Sequence, residues 1–181
     1  MNKRLVLAVL CLAIAASSYA TPLDDAIKAI DAGRDAQAFQ LLTPLANEGN
    51  AQAQYRLGIL YYHGKGAPED ENLAIYWWKK AAAQGNSEAM FHIANAYLFN
   101  PKAEKMVSDP DREAAIWFFQ AASAGHAEAQ YYLGLLFLAG KGVVENRREA
   151  IRWFRKAADQ GHAEARKAIE SAEKSSLPPR R

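Results

Sequence analysis

From Ala51 to Tyr62 the apolar residues Ala53, Leu57, Leu60 and Tyr61 recur every three to four positions, the period of one helix face. Gly64-Lys65-Gly66 follows, and glycine tolerates the positive φ at which helices end. A second periodic run begins near Asp70, whose carboxylate can accept from the free N–H groups of a first turn. In that run Ala74, Trp77, Trp78, Ala81 and Ala82 share one side, and Gly85 closes it. The pattern predicts two helices joined by a tight turn.

The same pattern returns downstream. Residues 127–162 repeat 51–86 at an offset of 76, with nineteen of thirty-six positions identical. Average residue usage would give about two or three. Residues 87–126 form a copy between them, four residues longer, keeping Ala89, Trp117, Ala121, Ala122 and Gly125. Asn146 and the pair Asp109-Pro110 stand where Asp70 starts its helix, suited to an N-cap and first turn. Residues 24–50 read as a degenerate copy. Residues 163–174 read as a capping helix, since Lys167 replaces the aromatic of Tyr55 and Tyr131.

One hairpin cannot cover its own apolar side, so the copies must stack. The expected fold is all-α, a right-handed superhelix of antiparallel helix pairs over residues 21–174. Gly58 and Gly134 are expected to let paired helices approach closely. Trp77, Trp117 and Trp153 are expected to fill the space left, each burying roughly 150–250 Å². In the middle copy Ala94 replaces the glycine and residues 99–108 replace the Gly-Lys-Gly turn, which predicts a locally opened or re-angled stack.

Ala-x-Ala-Gln-Tyr-x-Leu-Gly-x-Leu-Tyr, the Gly-Lys-Gly, Asp70, Ala74, Trp77 and Ala81-Ala82-x-x-Gly85 resemble the Sel-1-like repeat, a relative of the tetratricopeptide repeat. The resemblance covers 51–162 and extends into 24–50. It implies an α-solenoid that scaffolds envelope or secretion-related complexes. Exported proteins similar to this family also include immunity proteins that neutralise a secreted toxic effector, a rival reading. Some cysteine-rich members are linked to β-lactam binding; their paired cysteines are absent here.

Composition narrows the setting. Asn2-Lys3-Arg4, the apolar run Leu5 to Ala16 and the small residues Ser18 and Ala20 predict a signal peptide over 1–20, cut after Ala20. The product would be periplasmic or secreted. Cys11, the only cysteine, lies in that leader behind Leu10, which argues against a lipid anchor. Lys3 and Arg4 leave with the leader, so 20 of the 22 basic residues face 20 acids. That balance does not point to nucleic acid. No other run is long enough for a membrane span. Residues 175–181 read as a flexible tail.

Candidate chemistry is sparse. In Gly64-Lys65-Gly66 a glycine holds the Ser/Thr place of a phosphate loop, and a helix precedes it rather than a strand. His63, His92, His126 and His162 lack metal-site spacing. His126 and His162 follow a helix-ending glycine, where Asn50 and Asn86 stand in other copies, and read as polar post-helix residues. Ser171-x-x-Lys174 matches a nucleophile motif without its partner motifs. A cell-wall or β-lactam hydrolase would need a polar cluster in a cleft, and none is legible. The sequence therefore reads as a non-enzymatic binding protein without cofactor or metal, its oligomeric state open.

First helices line the concave side of such a solenoid. The stripe Gln52, Tyr55, Ile59 and Tyr62 lies apart from the packing stripe, with equivalents Glu88, Phe91, Asn95 and Leu98, then Glu128, Tyr131, Leu135 and Leu138. It is read two ways: as core between neighbouring pairs, or as an amphipathic groove for a protein or peptide partner. The insertion around Lys102, Glu104 and Lys105 is a second candidate, because irregular loops on repeats carry specificity.

Overall fold

The computed structural model describes residues 21–174. The predicted leader, Cys11 and the tail at 175–181 lie outside them. Nine α-helices run in order: α1 Pro22–Asp31, α2 Asp35–Asn47, α3 Ala51–Tyr62, α4 Glu71–Ala82, α5 Ser87–Phe99, α6 Pro110–Ser123, α7 Ala127–Ala139, α8 Arg147–Asp159 and α9 Ala163–Lys174. Among the described residues there is no strand. Each helix packs on its neighbours in sequence, as an α-solenoid requires. Pairing is antiparallel: the end of α3 meets the start of α4 where Asp70 N–H donates to the Tyr61 carbonyl, and Gln54 near its start meets Gln84 past the end of α4.

Local chemistry sets the helix starts. Asn50, Asp70, Asn86, Asp109 and Asn146 each accept from the backbone N–H three residues on, satisfying a donor that has no partner inside the helix. Thr21 and Asp24 form a reciprocal capping box on α1, ahead of Pro22. The hydrogen bonds from Thr21 lower the Asp24 pKa, backbone contact first.

The small residues do what their spacing predicts, with one correction. A Cβ on Gly58 would collide with the indole of Trp78, and one on Gly134 with the ring of Phe154. The side chains that fill these gaps are therefore Trp78 and Phe154, one position beyond the expected Trp77 and Trp153. In the middle copy Phe118 is fully buried while Trp117 is half-buried. Successive residues on a helix point about 100° apart, so a one-residue shift moves a ring from the paired helix toward its flank.

The Gly-Lys-Gly turns have a second task. Gly66 has φ +75° and Gly142 φ +69°. A Cβ on Gly66 would strike the backbone of Asp35, and one on Gly142 the backbone of Asp111. Each turn thus seats on the first turn of the preceding hairpin's second helix, and stitches one copy to the one before.

The middle insertion does not leave the stack open. Residues Ala103–Lys105 form a 3-10 turn with Ala103 buried, and Met106 and Val107 pack against the core. Asn100 Nδ2 donates to Glu71 at 2.6 Å, tying the insertion to α4.

Candidate interaction surface

The first-helix stripe is neither bare nor sealed. Gln52, Tyr55, Ile59, Tyr62, Phe91, Asn95, Leu98, Glu128, Tyr131, Leu135 and Leu138 are half-buried, and Glu88 is exposed. Tyr55, Ile59, Tyr62, Phe91 and Leu98 pack their inner edges on the central core; Tyr131, Leu135 and Leu138 do so on the last one. The stripe thus has an inner edge in the core and an outer edge in solvent.

Its polar framework comes from the residue ahead of each first helix. His126 Nδ1 accepts from the Ala129 N–H at 3.1 Å, and His162 Nδ1 accepts from the Ala165 N–H at 3.2 Å. The histidines read as post-helix residues are N-caps of the next helix. An Nδ1 that accepts must leave the proton on Nε2. In that tautomer Nε2–H points at Glu88 from His126 (3.3 Å) and at Glu128 from His162 (2.9 Å). The rings also stack, His126 on Phe91 at 4.5 Å and His162 on Tyr131 at 4.6 Å between centroids. Asn86 repeats the contact in amide form, its Nδ2 donating to Gln52 at 3.5 Å. A ladder therefore climbs the stripe from one copy to the next.

The middle of the ladder is aromatic. His92 stacks on Trp78 at 5.1 Å and lies 3.3 Å from the Tyr55 hydroxyl. Burial pushes the His92 pKa below its ordinary value against the opposing pull of Glu88, while His63 and His126 lower it further. Burial, then Glu88, raises Tyr55, so the phenol stays protonated and shares a hydrogen bond with His92 Nε2. Tyr62 and Tyr131 are raised as well, chiefly by burial.

Two glutamine pairs were not legible as structural. Gln54 is buried; its Nε2 donates to the Ala46 carbonyl and its Oε1 accepts from Gln84. Gln130 bonds the Ala122 carbonyl and Gln160 in the same way. The repeated Ala-Gln-Tyr carried the signal, since the same polar residue at a buried period position marks a paired amide.

Lys102, Glu104 and Lys105 sit exposed on the insertion's turn, remote in role from the ladder. Among the described residues no group of three or more His, Cys, Asp or Glu gathers as a metal site, and no helix is long and apolar enough to cross a membrane. The sequence reading missed apolar exposure on the second helices. Tyr76, Ile116 and Phe119 are 49%, 42% and 51% exposed, more open than the stripe aromatics Tyr55, Tyr62, Phe91 and Tyr131.

Comparison with known proteins gives a consistent picture. The family model for the Sel1 repeat matches residues 51–86, 87–126 and 127–162. The crystal structure of a Sel1 repeat protein from Oxalobacter formigenes is 32% identical with a TM-score of 0.71, aligning 81% of this chain with 59% of that one. Another, c5321, a protective antigen of uropathogenic Escherichia coli strains displaying an SLR fold, is 26% identical with a TM-score of 0.72, over 89% of this chain and 35% of that one. The Arabidopsis thaliana ERAD-associated E3 ubiquitin-protein ligase component HRD3A is 35% identical over 66 residues, 36% of this chain and 10% of its own length. The Saccharomyces cerevisiae chitin synthase regulator SKT5 is 39% identical over 54 residues, 30% of this chain and 8% of its own. This chain spans less than two thirds of each of these relatives.

Proposed function

The chain belongs to the Sel1 repeat family, and we propose that it is a non-enzymatic scaffold that holds a protein or peptide partner on its first-helix stripe. One observation carries this reading. The outer edges of Tyr55, Phe91 and Tyr131 stay open to solvent in three successive copies, while the packing stripe beside them is closed. Their inner edges are locked by stacking and hydrogen bonds, so little rotamer freedom remains to be lost on binding. Rigid aromatic anchors are where binding energy concentrates.

The setting we propose is the envelope or secretion route of the cell, with the leader cut after Ala20. A cut there leaves the Thr21–Asp24 capping box whole. Relatives described as a ligase component and a synthase regulator support a role exerted through other proteins.

The test places a photo-crosslinking amino acid at Tyr62 and, separately, at Leu138 in the native host, and identifies what is caught. One shared species from both positions is expected. It should be lost in a Tyr62→Ala/Leu138→Ala variant whose melting temperature stays within a few degrees of the parent. A large loss of stability with unchanged capture would make the stripe core only.

A further inference from the structure

The geometry points to a second docking surface, a trough on α6 that takes a short partner segment combining bulky apolar side chains with a carboxylate. Ile116 and Phe119 form one wall, and Leu133, Phe137 and Val143 the other. The trough holds about 500 Å³, room for two or three large side chains. Its end is held rigidly, because Gly142 presses on the Asp111 backbone.

The fold does not call for apolar residues on that wall. At the register of Ile116 and Phe119 the other second helices carry Gln40 and Thr43 on α2, Tyr76 and Lys79 on α4, and Arg152 and Arg155 on α8. The same helix therefore forms with polar or charged groups at both places. Only α6 is apolar at both, and these side chains are 42% and 51% exposed. A contiguous apolar trough kept in water without a packing need marks a contact site.

Charge says what fills it. Among the described residues no carboxylate lines the trough and none lies within ion-pair distance of Arg112, which does line it. The nearby acid Asp111 is already paired with Lys141 at 3.2 Å. On the far flank Phe119 meets Trp153 edge-on at 5.9 Å, and Lys156 caps that indole at 4.1 Å from its centroid. Apolar walls with the Arg112 cation at one end and a second cation past the other suit an acidic, apolar segment. This inference rests on the chain being a binding scaffold, but uses a face separate from the first-helix stripe.

The test pans a phage-displayed library of random dodecapeptides on the full chain, then measures anisotropy of the selected peptides with wild type, Ile116→Arg, Phe119→Lys and Arg112→Gln. The first two copy the basic side chains of α8 and α4, so folding should hold, checked by circular dichroism. The expected consensus is two or three bulky apolar residues beside Asp or Glu, with binding weakened about tenfold or more by each of the first two variants. Arg112→Gln should weaken only peptides bearing the acid. Peptides without that pattern, or bound equally by Phe119→Lys, overturn the proposal. So does self-association of wild type in sedimentation that Phe119→Lys abolishes, since a second copy would then be the occupant. Tyr62→Ala/Leu138→Ala should still bind the peptides, which separates failure of this trough from failure of the stripe.

Discussion

Trp78 stands on the bare backbone of Gly58. Its indole Nε1 donates to the Tyr55 carbonyl at 3.2 Å, and no room remains for a methyl group on residue 58. Gly58→Ala should destabilise by about 1–3 kcal/mol, the range for overpacking a closed core. Gly134→Ala should behave alike against Phe154. Adding Trp78→Leu to Gly58→Ala removes the overlap, so the double variant should lose less than the sum of the singles in urea denaturation.

The Gln54–Gln84 bridge predicts a second non-additive pair. Gln54→Met removes one of two bonds to the Ala46 carbonyl, which keeps the Gly49 N–H, and one of two from the Gln84 amide, which keeps the Gly49 carbonyl, at about 1 kcal/mol. The middle copy carries Met90 and Ala124 at these positions. Gln54→Met with Gln84→Ala reproduces that pair, and its cost should fall below the sum of the single costs in a double-mutant cycle.

His92 makes stability depend on pH. Its folded pKa lies below the ordinary 6.5, with burial the main cause and Glu88 opposing. The unfolded chain then takes up the proton at a higher pH than the folded chain does. The stability held by neutral His92 is complete above about pH 6.5 and declines as pH falls toward the folded pKa. His92→Phe keeps a ring on Trp78 and cannot titrate. Melts at about pH 7.5 and about pH 5 should show a smaller drop for the variant than for wild type.

The capping histidines can be separated from their stacking. Asn50 and Asn86 already cap the equivalent helices, so His126→Asn should keep the cap and forfeit the ring's contacts, its stacking on Phe91 and its Nε2 contact with Glu88. His126→Ala loses the cap as well, and should cost about 1 kcal/mol more than the asparagine variant. Thermal denaturation of the two variants side by side measures that difference.

The insertion is expected to matter to folding rather than to dangle. Ala103 is 3% exposed beneath the 3-10 turn. Ala103→Glu should destabilise by a few kcal/mol, about what burying an unpaired charge forces by displacing the turn. Lys105→Ala, on the exposed side, should be neutral in the same denaturation assay.

The hairpins could be read from the chain because their causes are local. Apolar period, N-cap residues and glycines act within four residues of one another, and Asp70, Asp109 and Asn146 cap where they were expected. Copy number was equally plain, since an offset of 76 restates half of its residues. The side of each aromatic was not. Trp77 and Trp78 are neighbours on one helix, and nothing within that helix says which will face Gly58.

Stacking between hairpins made the remaining decisions. The caps His126 and His162 became rungs only when Glu88 and Glu128, at the start of the first helix of the same copy, came within reach of Nε2. Ile116 and Phe119 stayed partly in water because the next hairpin meets that side of α6 only at its flank, where Phe119 touches Trp153 edge-on. By itself, then, the sequence determined which segments are helices, where each begins and how often the unit returns, all matters of short-range hydrogen bonding and period. The tertiary structure alone decided which rings are sealed and which faces stay open, because those depend on contacts between residues some thirty to forty positions apart, set by how one hairpin seats on the next.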